Sequence, residues 1–130
     1  MCLSKVTSTT QRKDAHGFGW KVFEITPNGL MAWLRTSAFY YSKRKGYSQK
    51  GYSQKVLPKN KWLKSYDITR GEHYPKGFHI FTKREAAQGF MDYRCYRNNY
   101  KVEKVEYRNV LATGWEAGRE VIVAKEMRIL

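Results

Sequence analysis

Residues 73–93 carry the strongest local constraint in the chain, because they pass from a turn to a strand to a helix without a break. Pro75 and Gly77 punctuate a turn, and Phe78–Phe81 is a short apolar run interrupted only by His79. Thr82 and Glu85 have the spacing of a capping box, which predicts a helix from about Lys83. On that helix Ala86, Phe90 and Tyr93 recur at helical spacing, and Ala87 and Met91 widen the stripe, so one face is built to pack on a sheet. A strand that feeds an amphipathic helix restricts the fold to layers, with the helix covering the sheet. The first turn of that helix leaves backbone N–H groups free beside Lys83 and Arg84, a sound place for an anion.

The flanking sequence supplies the sheet. From Gly17, the residues Trp20, Val22 and Glu24 alternate with Lys21, Phe23 and Ile25 until Pro27-Asn28-Gly29 stops the run. Residues 30–34 return as the second strand of a hairpin, since Asn-Gly readily takes the positive φ of a tight turn. The helix is expected to end at residues 96–99. Beyond it Val105, Tyr107 and Leu111 alternate with Lys104, Glu106 and Arg108, a turn is expected at residues 114–118, and residues 121–130 close the chain. In that last strand Val121, Val123, Met127 and Ile129 share a face while Ile122 and Ala124 begin the other, as in a strand covered on both sides. The expected fold is α+β: a single small domain over residues 17–130, with an antiparallel sheet of five to six strands and one main helix packed on a face. Residues 1–16, rich in Ser, Thr, Lys and Gln with little periodicity, are expected to form a flexible arm.

Charge enters next, with 25 basic residues against 11 acidic. Residues 36–66 hold eight of the cations and no acid, so they supply +8 of the formal +14. Inside them Gly46-Tyr-Ser-Gln-Lys50 is followed by an identical Gly51-Tyr-Ser-Gln-Lys55, a duplication best tolerated in an exposed loop, here assigned to residues 43–58. Phe39, Tyr40 and Tyr41 before the loop suit a strand, and Trp62 and Leu63 after it should dock on the core. Such a field favours anionic partners: nucleotides, nucleic acid or acidic proteins.

Catalytic and metal patterns are not found in the sequence. Cys2 and Cys95 lack metal or disulfide spacing, which fits a reducing, intracellular setting, and no apolar run is long enough to span a bilayer, so a soluble protein with no membrane partner is expected. His16, His73 and His79 have no evident catalytic partner, and no nucleophile elbow, Walker loop, zincin helix or carboxylate cluster accompanies them. The expectation is a protein that is not an enzyme and uses no cofactor or metal.

Binding chemistry is the better match, because aromatic residues are interleaved with Lys and Arg through residues 40–66 and 93–108. Candidate phosphate contacts are Lys76, His79, Lys83 and Arg84 around the helix start, Arg94 and Arg97 on one helix face, and Arg108; candidate stacking residues are Tyr40, Trp62 and Tyr74. His79 fits two roles, a half-buried structural histidine or a phosphate neighbour.

Three stretches resemble small accessory proteins of bacteriophages: Met1-Cys-Leu-Ser-Lys-Val6, Tyr74-Pro-Lys-Gly-Phe-His-Ile-Phe81 and Val121-Ile-Val-Ala-Lys-Glu-Met-Arg-Ile129. The resemblance implies a phage origin and the cytoplasm of an infected bacterial host cell. By analogy it implies a counter-defence role of the kind filled by Thoeris anti-defence sponges, in which a nucleotide-type second messenger such as a cyclic oligonucleotide or cyclic ADP-ribose isomer is bound and sequestered, with room for a homo-oligomer to share the pocket. The alternatives are a basic DNA- or RNA-binding protein and an inhibitor that docks on an acidic host protein.

Overall fold

The structure, a computed structural model, describes residues 3–27, 29–32, 57–65, 74, 77–94 and 100–130. They form one domain of seven strands and one helix. Its spine is the hairpin of β6 (Tyr100–Glu116) and β7 (Arg119–Ile129), paired from Val105↔Ile129 to Glu116↔Arg119. The reversal takes only Ala117 and Gly118, with φ of 51° and 77°, the two positive values that a tight hairpin matching strand twist requires. Gly114 belongs to β6 rather than to the turn expected at residues 114–118. A Cβ there would run into the carbonyl oxygen of Lys5, so glycine is needed for close strand approach and not for a bend.

Both edges of the hairpin are then covered. On one edge of β6 lies β2 (Arg12–Thr26), in register from His16↔Arg108 to Glu24↔Tyr100, and β1 (Lys5–Ser8) continues along the same edge at Lys5↔Trp115. Residues 5–8 and 12–16 therefore lie in strands where a flexible arm was expected. The cause is the length of β6: it runs past Leu111 to Glu116, and the open edge it offers needs backbone partners whatever side chains they carry. On the other edge β7 pairs with β5 (Phe78–Phe81) and with β4 (Trp62–Lys64), so the last strand is central, as its two-sided apolar pattern predicts. The expected hairpin is present too, with β3 (Gly29–Ala32) returning on β2 at Thr26↔Gly29.

The sheet closes on itself. Trp20 of β2 pairs with Phe81 of β5, which completes the ring β2–β6–β7–β5 and turns an open antiparallel sheet into a small barrel. Gly19 makes this possible, since a Cβ there would lie 2.7 Å from the Phe81 carbonyl oxygen and closer still to the Ile80 side chain. Phe23, Leu30, Leu57, Leu63, Phe78, Ile80, Val105, Met127 and Ile129 fill the interior. Leu57, at the end of the segment assigned to an exposed loop, is 2% exposed, and its N–H donates to the Leu30 carbonyl. Residues 43–56 of that segment, and the strand expected at Phe39, Tyr40 and Tyr41, lie outside the described residues.

Helix α1 (Arg84–Arg94) covers part of the outside, where Ala87 and Phe90 pack with Val22, Phe81 and Val121. Its buried face is the expected one and it starts at Arg84, next to the expected Lys83, but the cap is not the expected one. The Lys83 carbonyl accepts the first helical bond from Ala87 N–H, which puts Lys83 at the cap, while the Thr82 hydroxyl donates to Glu120 at 2.9 Å. Thr82 and Glu85 thus stand out of capping-box register. The helix end expected at residues 96–99 lies outside the described residues. Among those described, no helix is long and apolar enough to cross a membrane.

Candidate nucleic-acid interface

Strand alternation decides which side chains reach the outer surface. On β2 the even-numbered residues face outward: Val22 and Trp20 pack with the helix, and the same row then emerges from beneath it at Phe18 and His16. Phe18 is 53% exposed, the most exposed large apolar residue among those described. Its neighbour across the sheet is Glu106, and that of His16 is Arg108; on β7 these face Arg128 and Glu126, and on β4 those face Trp62 and Lys64. One outer band thus crosses four strands, about 15 Å at the usual strand spacing.

Rings and cations alternate along it. Arg84, the first residue of α1, has its guanidinium carbon 5.8 Å from the Trp20 ring. Lys104 Nζ sits 5.9 Å from that ring and 5.0 Å from the ring of Phe18. His16 lies edge-on to Phe18 at 6.0 Å and bonds to Glu106, whose other oxygen accepts from Arg128. The guanidinium groups of Arg108 and Arg128 lie 4.0 Å and 5.0 Å from the centre of the Trp62 ring. Arg108 is held flat by two bonds of 3.1 Å to the two oxygens of Glu126, which also accepts from Asn109. The pairings leave their mark on acidity: hydrogen bonding from His16, and then from Arg128, holds the Glu106 carboxyl below its usual range against the opposing effect of burial, and Arg108 does the same for Glu126. Five cations, Arg84, Lys104, Arg108, Arg128 and Lys64, against the two carboxylates of Glu106 and Glu126 leave the row positive.

The anion seat expected at the helix start is not assembled as anticipated. His79 is fully buried: its Nδ1–H donates to the Gly77 carbonyl, and Nε2 accepts from the Tyr74 hydroxyl, which in turn accepts from Leu3 N–H. His79 is therefore the structural histidine of the two roles open to it, and Tyr74, 5% exposed, supports it and offers no face for a base to stack on. Lys83 and Arg84 are exposed, but Arg84 leans on Trp20 and Glu120 is bonded to Thr82 beside the helix start. Lys76, Arg97 and Tyr40, and the side chain of Arg94, lie outside the described residues. Of the predicted set, Arg84, Arg108 and Trp62 share the outer row.

Sequence reasoning missed Phe18, Trp20, Lys104 and Arg128. The signal for β2 was available: Gly17 and Gly19 flank Phe18, and His16, Phe18 and Trp20 extend the alternation backward from Val22. The carboxylate beside His16 comes from 90 residues away and has no local signal. An imidazole oriented by a carboxylate is half of a base-and-nucleophile set, yet no Ser, Thr or Cys bonds to His16 among the described residues, and no cluster there suits a metal ion. The sequence matches no known family model and no curated protein, and the fold matches no solved structure.

Proposed function

We propose that the protein binds single-stranded nucleic acid, without transforming it, on the outer face of β2, β6, β7 and β4. The observation that carries this reading is Phe18, a half-exposed ring in mid-strand with the Lys104 ammonium 5.0 Å above it. An apolar ring held at a sheet surface next to a cation suits a base that stacks and a phosphate that pairs, and every base has a face to stack. Trp62 with Arg108 and Arg128 repeats the combination three strands away, so successive nucleotides of one strand can be engaged. An open band favours a strand over a free second messenger, because small ligands are held in clefts that enclose most of their surface.

Fluorescence anisotropy with a labelled oligothymidylate tests this. Phe18→Ala and Trp62→Ala should each weaken binding by roughly tenfold or more, the worth of one stacked base, with circular dichroism unchanged. Equal affinity in wild type and Phe18→Ala would overturn the proposed surface, and absence of binding at low salt would overturn the function.

A further inference from the structure

A second feature lies beside the row without belonging to it. Strand β2 slips register between Arg12 and His16, and β6 slips between Val110 and Ala112. Next to the second slip Asn109 takes a φ of 61°, a left-handed conformation that Asn tolerates better than most residues. The irregularities coincide at one cavity of about 200 Å³, several times a water's share of roughly 30 Å³. Bulges commonly re-aim side chains beside functional sites, and here those of two strands open one space.

Its lining mixes cationic, polar and apolar groups: Gln11 and Lys13 lie at the start of β2, Asn109, Val110 and Leu111 come from β6, Lys125 from β7, and Ser65 follows β4. Neither lysine forms an ion pair among the described residues. The acids nearest in sequence do not compensate them, since Glu126 is bonded to Arg108 and Asn109, and Asp14 forms no ion pair with either lysine. The Ser65 hydroxyl donates to the Lys125 carbonyl, which fixes the backbone that carries Lys125. Two lysines and two carboxamide residues thus share one recess with the buried Val110 and Leu111.

We propose that this cavity is a binding site for a phosphate monoester, on the end of a nucleic-acid strand or on a free nucleotide. A monoester carries close to two negative charges and three acceptor oxygens, whereas a phosphate within a strand carries one charge. The two lysines match the first in charge, and charge-assisted bonds at a partly enclosed site are the strong ones. The site goes beyond the outer row, which reads bases and internal phosphates, yet Asn109 touches both by lining the cavity and bonding to Glu126.

The test has three arms. In the first, inorganic phosphate is titrated into the intact protein and followed by amide NMR; shifts at Lys13, Asn109 and Lys125 that vanish in Lys13→Gln/Lys125→Gln are expected, and no phosphate-specific shift there overturns the site. In the second, a 5′-phosphorylated, a 3′-phosphorylated and an unphosphorylated oligothymidylate are compared. At least one phosphorylated end should bind about tenfold tighter, and the double variant should remove that preference while still binding the unphosphorylated strand. In the third, a nucleoside monophosphate is used alone; binding here without any end preference in the second arm assigns the cavity to a free nucleotide. If no strand binds at all the outer-row reading fails, while the first arm still decides the cavity. Lys13 is exposed and Lys125 half-buried, so the exchange to glutamine leaves the core intact.

Discussion

Lys21 is the residue whose surroundings least suit its charge. It lies on the interior face of β2 with 2% exposure, and its Nζ donates to the His79 carbonyl at 2.9 Å. Its cross-strand neighbour Glu103 pairs instead with Lys101 and Lys59. Burial lowers its pKa from 10.5 to about 7. The depressed value fixes the sign: from about pH 7 to 10.5 the unfolded chain holds more protons than the folded one, so stability rises with pH across that window and is lost again as pH falls toward 7. The rise is at most about 1.4 kcal/mol per pH unit. Thermal unfolding between pH 7 and 9.5 should therefore show an increasing Tm, and Lys21→Met should be less pH-dependent and more stable than wild type at pH 7. A flat profile in the wild type would show that Lys21 is hydrated. The upper limit stays below 10 because burial raises the Tyr107 pKa, and its titration adds a separate trend above that point. Nothing local distinguishes Lys21 from the exposed lysines in the sequence. It alternates correctly with Trp20 and Val22, but which parity faces inward depends on where the helix lands.

At the scale of elements, closure rests on a single cross-strand pair, Trp20↔Phe81, and on the missing side chain of Gly19. Gly19→Ala places a methyl group against Phe81 O and Ile80, so β2 and β5 must separate. The expected cost is about 1–3 kcal/mol, read by urea denaturation, and it should exceed that of Gly89→Ala, where the nearest atoms belong to the flexible Arg119 side chain. Equal costs would mean that the two strands do not meet as described. Elements with a strong local signal were legible: the hairpin at Pro27-Asn28-Gly29, the apolar face of α1 and the central strand β7. Less legible was β1 with the first residues of β2, whose polar sequences have no pattern of their own and pair only because β6 extends far enough to receive them. The capping-box spacing of Thr82 and Glu85 misled for a related reason, since β7 brings Glu120 to the Thr82 hydroxyl.

For the whole molecule, the formal charge of +14 should be expressed as salt dependence. If a strand crosses the outer row and neutralises at least three phosphates, log K should fall with log salt with a slope of about −2 or steeper, and Lys104→Ala should reduce it by roughly 0.7. Phe18→Ala should lower affinity at every salt concentration and leave the slope alone. A salt-independent affinity would indicate that the charge serves some other contact. The duplicated Gly46-Tyr-Ser-Gln-Lys50 and Gly51-Tyr-Ser-Gln-Lys55 lie outside the described residues. Deleting the second copy is the direct way to ask whether their lysines add to the slope.

By itself the sequence determined the local pieces: where strands alternate, where a hairpin turns, which helix face is apolar, and that the net charge is strongly positive. These follow from backbone and side-chain periodicities acting over a few residues, together with net charge. Only the tertiary structure decided that β2 and β5 close the sheet, that His79 is sealed inside while His16 meets Glu106 outside, and that Phe18, Lys104, Trp62, Arg108 and Arg128 share one face. Each depends on register between strands far apart in the chain, where a shift of one residue exchanges the inner face for the outer.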